Sequence, residues 1–503
     1  MTHTSLAFPS LLRSRFIGWA LLAVAAAEAF SYAGYVYPQF GRAVWLIVTV
    51  GVFLVSVRRL DIGLWCIVAE LAIGSKGYLF QMTIAGMPIS IRVSLFAAVL
   101  AAWGLAFLRR RVPTRELLHD ARWYIPVIAV IAWGIVLGLA QGRSPRLLFL
   151  DANGYLFFGL VPVYLTVLRS RHALRRILQV LIAATAVSSA LTVLLLYAFS
   201  HQFPDVVPGL YRWIRDTGVG EITLLNGNLY RIFFQSHLYA IAALLIGICA
   251  LPWSRAVPPR RDLRQWTYLL SASVVFLVGL SRSFWVGGGV AVIVVVLLLR
   301  RRIGYEWKVI GRWLLSVIGV GAGAVLIASL AVIVPVPAST PGASPAVFAE
   351  RVGDLTTEAA AVSRWQLAVP LVKAIAASPV FGSGFGTTVT YRSADPRIVA
   401  ATGGAYTTYA FEWGYLDLWL KVGVMGVAFY GFLLWTIARD ALRLLRDPAS
   451  AGDRAIVIGM FAVLAFLIVT HGVSPYLNHP LGIGLVMLIG TTFRTLVRQS
   501  ETP

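Results

Sequence analysis

The sequence predicts an all-α polytopic membrane protein with about fourteen transmembrane helices (12–14). Three observations carry that expectation. The 503 residues are 59% hydrophobic, with a mean hydropathy of +0.80. Only 13% are charged, about half of what an ordinary soluble chain carries. Apolar stretches long enough to cross ~30 Å of hydrocarbon recur from end to end.

The spans fall at approximately 16–34, 41–57, 60–74, 89–108, 123–141, 150–168, 175–199, 231–252, 266–281, 283–299, 310–334, 413–437, 455–473 and 479–496. The third is short for a full crossing. Residues 1–15 read as a short cytoplasmic tail. The stretch from Phe16 is long enough to span and carries no cleavage site, so it is expected to be retained. The two cysteines, Cys66 and Cys249, both lie in apolar segments. That argues against a disulfide framework and against a cysteine metal site.

The formal charge of +22 would suggest nucleic acid if it were spread along the chain or gathered on a basic tail. It is neither. "RR" at 58–59, "RRR" at 109–111, "RSRHALRR" at 169–176, "RAVPPRRDLR" at 255–264, "RRR" at 300–302 and "RDALRLLRD" at 439–447 stand at the ends of apolar stretches. Putting both termini in the cytoplasm places all six clusters inside, as positive charge is distributed in membrane proteins. Two long segments then fall on the outer face, and long segments of this kind are commonly functional. The expected organisation is N-terminal helices over 1–199, a first outer loop over 200–230, central helices with outer-face arginines over 231–334, a large outer loop over 335–412 and C-terminal helices over 413–503. The large loop opens on "VPVPASTPGASPAV", a linker composition. It continues into "EAAAVSRWQLAVPLVKAIAAS", an amphipathic helix with an N-cap expected at Ser363 and a kink at Pro370. "PVFGSGFG" follows, where Gly382, Gly384 and Gly386 permit tight turns.

Arg282 stands alone. In "GLSRSFWVGG" it is the sole charged residue between Trp266 and Leu299, and an arginine at a membrane edge is costly enough to be a site candidate. The plain reading is an arginine snorkelling to headgroups. Flanking serines and the company of other outer-face cations weigh the other way: Arg231 opens a span, Arg364 opens the loop helix, and Arg212 and Arg215 lie in the first loop. Arginine suits a lipid-borne phosphate, because its planar fork donates to two oxygens and keeps its charge.

Four stretches together resemble the O-antigen ligase/O-antigen polymerase superfamily. They are "LSRSFWVGG" at 280–288, "YRIFFQSHLYAIAALL" at 230–245, "RWQLAVPLVKAIAASPVFGSGFGT" at 364–387 and "EWGYLDLWLKVGVMG" at 412–426. They cover the second half of the chain; the first half matches as a generic run of spans. The resemblance implies a GT-C-like bundle in the bacterial inner membrane. It implies a metal-independent inverting glycosyltransferase whose donor is a glycan on undecaprenyl pyrophosphate, used on the periplasmic side. It also implies a glycan acceptor, with a flippase and chain-length regulators as candidate partners. On this resemblance Arg231, Arg282 and Arg364 bind the donor pyrophosphate. Where the family has a histidine proposed to activate the acceptor hydroxyl, this sequence has Glu412, which could act as general base. That departure weighs against a lipid A–core ligase and favours a polymerase of surface polysaccharide or a ligase of another surface glycan. It equally fits an ordinary loop-end carboxylate paired with an arginine.

Secondary candidates have plainer readings. His237 suits helix packing. Asp417 and Lys421, four apart, suit an internal ion pair. His471, Asn478 and His479 lack the acidic or cysteine partners of a metal site. A transporter of lipid-linked saccharide and a scaffold subunit of an envelope complex are the alternative functions. Absence of a visible repeat and the boundary position of the charges argue against the transporter.

Overall fold

The computed structural model describes residues 6–84, 86–225, 229–252, 263–334, 359–394, 396–446 and 451–501. The linker at the start of the large outer loop, with Ser339, and most of the basic stretch at 255–264 lie outside the described residues.

The chain is an all-α polytopic bundle. Helices α1 to α5 cover Phe8–Leu12, Arg15–Val36, Pro38–Arg58, Leu60–Ile73 and Ile91–Leu108. A hairpin, β1 (Gln81–Ile84) with β2 (Met87–Ser90), sits before α5. Then come α6 (Thr114–Ala121), α7 (Ile125–Ala140), α8 (Pro145–Ala152), a 3₁₀ turn (Tyr155–Leu160), α9 (Val161–Val167) and α10 (Arg171–Ser200). Within the segment expected as the first outer loop, α11 is Val207–Asp216, and β3 (Gly220–Leu224) pairs with β4 (Tyr230–Phe234). Helices α12 (His237–Cys249), α13 (Leu263–Val278), α14 (Arg282–Arg301) and α15 (Trp307–Ile333) follow. The second outer segment holds α16 (Ala359–Ala376), β5 (Val389–Arg392), α17 (Pro396–Thr402) and β6 (Ala405–Thr408). The chain closes with α18 (Gly414–Leu444), α19 (Ala451–His471) and α20 (Pro480–Glu501).

Among the described residues nine helices are long and apolar enough to cross a membrane. Counting each of two bent pairs as one span gives up to eleven: α6 with α7, bent by 72°, and α8 with the 3₁₀ turn and α9, bent by 55°. The remaining three of the fourteen expected spans are the 14-residue α4, the 13-residue α12 and the 16-residue α13. At 1.5 Å per residue, 13 residues reach only about 20 Å. Helix α12 can be short because all of it is buried: it is enclosed by α10, α13 and α19 and never meets lipid. At the rim the opposite holds. Leu22, Ile47, Leu54, Leu315 and Ile318 on α2, α3 and α15 are exposed, as lipid-facing apolar side chains should be.

Two sequence expectations shift. The 231–252 span does not begin at Arg231. "YRIFF" alternates, with Ile232 and Phe234 buried, and period-2 burial of β-branched and aromatic residues makes a strand, not a helical turn. The loop helix also starts earlier than Ser363, at Ala359 in the described residues, so Arg364 lies within it and not at its N-cap, with Pro370 inside the same helix.

Candidate functional site at the outer end of the bundle

Arg231 sits on β4, opposite Thr223. Its Nε donates to the Gly279 carbonyl at 3.0 Å. A guanidinium nitrogen lies 3.7 Å from Glu221, and the group stacks 4.7 Å over Phe233. Gly279 belongs to the sharp corner between α13 and α14, where Leu280 takes φ 44°. A left-handed leucine is strained and is held only where surrounding structure fixes it. Ser281 is the N-cap position of α14, and half-buried Arg282 is its first residue. Arg231 therefore reaches the very corner that Arg282 opens.

A seam of hydroxyls continues from there. Ser281 and Ser283 share a hydrogen bond at 3.1 Å, Ser474 Oγ donates to Ser283 Oγ at 3.0 Å, and Thr470 Oγ1 donates to the Ser283 carbonyl at 3.3 Å. Phe284 packs against Phe233, Phe466 and Tyr476. Burial pushes the Tyr476 phenol up from its ordinary range while the charge of Arg231 pulls it down, so Tyr476 keeps its proton at neutral pH.

Arg364 and Glu412 form an ion pair, each about half exposed. Trp413 Nε1 donates to the Arg364 carbonyl at 2.9 Å, and Trp365 meets Trp413 at 5.2 Å. The next residue, Gly414, lies so close to His471 that a Cβ there would collide with the His471 backbone and ring. Gly414, two residues after Glu412, and Ser283, next to Arg282, thus both meet the turn at 470–474.

The other candidates divide. Both ring nitrogens of buried His237 are engaged: Nδ1 accepts from the Phe234 N–H (3.3 Å) and Nε2 meets Thr192 Oγ1 (3.1 Å). This is the packing arrangement. Nδ1 of His471 likewise accepts from the Leu477 N–H at 3.1 Å. Arg212 and Arg215 are exposed on the face of α11 opposite buried Trp213 and Ile214, and no contact described here joins them to Arg231 or Arg282. Among the described residues no three His, Cys, Asp or Glu side chains gather as metal ligands.

Asp417 and Lys421 do pair, 2.6 Å apart, but the pair is part of something larger. Lys421 Nζ also contacts Asp151 and donates to the Tyr409 carbonyl at 3.0 Å. Asp151 accepts from the Gly386 N–H at 2.8 Å, and Asp417 accepts from Asn478 Nδ2 at 2.7 Å. Asp151, Asp417 and Lys421 are no more than 4% exposed. The sequence leaves Asp151 unflagged, although a carboxylate inside an apolar stretch is signal enough to single it out. The same holds for the buried pair Glu70–Arg92, joined at 2.8 and 3.0 Å.

The glycine-rich run explains how the outer segment is seated. Gly382, Gly384 and Gly386 all take φ near +80°, and the run threads between α7 and α18. A Cβ at Gly384 would strike the Gly138 backbone. Helix α18 breaks at Gly423, φ 69°. That break frees the Leu420 and Lys421 carbonyls, which accept from the N–H groups of Ser383 (2.7 Å) and Gly384 (3.0 Å). In exchange the Val424 N–H donates to the Pro379 carbonyl at 2.9 Å. These three backbone groups at the break therefore find partners in the inserted loop.

No protein-family model and no curated protein matches the chain. Function is therefore carried by the chemistry of the site itself.

Proposed function

We propose that the chain is a metal-independent inverting glycosyltransferase of the outer membrane face, acting on a glycan linked to undecaprenyl pyrophosphate and polymerising repeat units of a surface polysaccharide. The observation that carries the proposal is the convergence of Arg231 and Arg282 on the α13–α14 corner, through the 3.0 Å bond from Arg231 to Gly279. Beside that corner run the hydroxyls of Ser281, Ser283 and Ser474. Two guanidiniums and hydroxyl donors at one helix start make a cradle for a dianionic diphosphate, while the exposed apolar flank of the bundle suits a polyprenyl tail.

The reaction balances with these groups alone. An acceptor hydroxyl attacks the anomeric carbon from the face opposite the leaving group. The carbon–oxygen bond to the pyrophosphate breaks, and its electron pair stays on the phosphate oxygen, where Arg231 and Arg282 offset the developing charge. One well-placed donor of this kind is worth roughly 3 kcal/mol. The hydroxyl's proton goes to Glu412. That carboxylate is paired with Arg364, and the pair has to loosen as the acceptor enters. Arg364 is thereby given two tasks, contacting the donor phosphate and controlling Glu412.

The buried Asp151–Lys421–Asp417 group is the observation that favours a transporter, since ionisable groups inside a bundle often mark a transport path. Its partners weigh against that: each member is tied to another side chain or to the inserted loop. Proteoliposomes given a carrier-linked oligosaccharide on the outer leaflet separate the readings. The proposal expects lengthened glycan on the carrier. Translocation without new glycosidic bonds, or neither outcome, would reject it.

A further inference from the structure

The opposite end of the bundle carries a second charged cleft that the proposed transfer reaction does not use. Asp417 lies near the start of α18 and Asp440 near its end. Around Trp123, at the start of α7, three guanidiniums stack: Arg122 at 4.5 Å, Arg439 at 5.1 Å and Arg494 at 5.3 Å from the ring centre. Asp440 pairs with Arg494 (3.2 Å) and Arg439 (3.3 Å), and Asp120 pairs with Arg498 (2.5 Å). Four guanidiniums face two carboxylates, so two positive charges remain uncompensated within the group.

The carboxylates are nearly fully buried, and the arginines are only part-exposed except Arg122. Among the described residues, Nε of Arg439 and one terminal nitrogen of Arg494, Nη2, are buried with no hydrogen-bond partner. A buried guanidinium N–H left unpaired is costly, and two on arginines that stack on the same Trp123 ring, Arg494 of them lining a cleft, call for an acceptor. The cleft is lined by Trp123, Tyr124, Asp440 and Arg494 among others, and its enclosed part takes no more than a water-sized group. That fits one oxygen of a phosphate entering while the rest of the group stays at the mouth.

The mouth continues as apolar surface. Phe432 stacks on Trp435 and meets Trp123 at 5.9 Å. Trp435 is 55% exposed, and Ile125 and Ile128 on α7 are exposed beside it. Arg439 also lies over Trp435 at 5.4 Å. Cationic donors at the end of a spanning helix, opening onto an aromatic and aliphatic strip that runs up the same helices, match an anionic phospholipid: phosphodiester at the arginines, acyl chain along the strip.

We infer that the Trp123–Arg439–Arg494 cleft binds the phosphodiester headgroup of an anionic phospholipid, one molecule per chain, in the leaflet opposite the transfer site. The carboxylates of Asp120 and Asp440 hold the guanidiniums in place, and Trp123 keeps their planes stacked. A zwitterionic lipid offers no net charge to offset and binds more weakly.

Native mass spectrometry of the full-length protein, delipidated in detergent and titrated with phosphatidylglycerol, phosphatidylcholine or inorganic phosphate, tests this. Wild type should retain one phosphatidylglycerol at least about tenfold more tightly than phosphatidylcholine. Arg439→Lys combined with Arg494→Lys keeps the charge but loses the forks, and should weaken that retention about tenfold. If that variant does not fold, Trp435→Ser decides: it removes no charged partner from the ion pairs, although Arg439 lies over its ring, and should still weaken phosphatidylglycerol several-fold. Equal retention of the two lipids by wild type overturns the inference. So does unchanged phosphatidylglycerol retention in a folded variant. So does inorganic phosphate displacing the lipid at equal concentration, which would mark a free-anion site.

Discussion

Arg364 and Glu412, 48 residues apart in the chain, are joined in an ion pair at one end of the bundle. The pair closes the second outer segment on itself. Its two flanks, Trp365 and Trp413, also touch. A carboxylate so placed is a base only when its partner yields, and this makes the role of Glu412 testable apart from that of the donor-binding arginines.

Glu412→Gln keeps the size and one hydrogen bond but cannot take a proton. If Glu412 is the general base, carrier-linked donor should bind nearly as in the wild type while turnover falls ~100-fold or more. Isothermal titration and a single-turnover assay read the two separately. Normal turnover in this variant would return Glu412 to a structural partner of Arg364.

Arg282→Lys is expected not to be conservative. Lysine retains the charge at the start of α14 but loses the two-pronged donor. Product should fall at least about tenfold, the scale of ~1.4 kcal/mol, at unchanged protein abundance. Arg231→Lys should behave alike, because both are asked to meet the same diphosphate. Wild-type rates in both Arg282→Lys and Arg282→Ala would leave Arg282 as a headgroup contact.

Lys421→Met should be far more damaging to stability than either arginine change. It strands two buried carboxylates and removes the bond to Tyr409. Breaking a buried ion pair from one side costs about 3–5 kcal/mol, enough to lower the thermal transition in detergent sharply. Adding Asp151→Asn and Asp417→Asn to Lys421→Met should recover most of the loss. A single variant as stable as wild type would mean the group does not hold the outer segment in place.

Topology is checked by cysteine labelling. Ala401→Cys lies on exposed α17 and should react with an impermeant reagent from outside, whereas Arg302→Cys, exposed beyond α14, should react only after permeabilisation. Ser393 is buried and is a poor probe for the same segment. The reverse labelling pattern would invert the orientation read from the arginine clusters.

Much of this architecture is legible in the residues, and the parts that are not have physical causes. Length and hydropathy suffice for the bundle, because lipid demands helices. They do not reveal that "YRIFF" is a strand, since four apolar or aromatic residues and one arginine beside a span carry no helical period of their own. The Asp417–Lys421 spacing announces an i, i+4 pair. It is silent on Asp151, 270 residues away from Lys421, because only the fold brings them together. The glycines at 382, 384 and 386 announce turns, but the break at Gly423 that receives the loop needs both partners in view. At the site, the corner at Arg282 is visible as an isolated charge, while its link to Arg231 runs through a backbone carbonyl that no side-chain pattern encodes.

The most direct test of the central claim follows the fate of the carrier. Purified protein in proteoliposomes, given an undecaprenyl-pyrophosphate oligosaccharide and no added metal, should release one undecaprenyl pyrophosphate for each new glycosidic bond. The new bond should have inverted anomeric configuration by NMR, and release should be lost in Arg282→Ala. A donor that stays whole, a product of retained configuration, or carrier release indifferent to Arg282 would contradict the account.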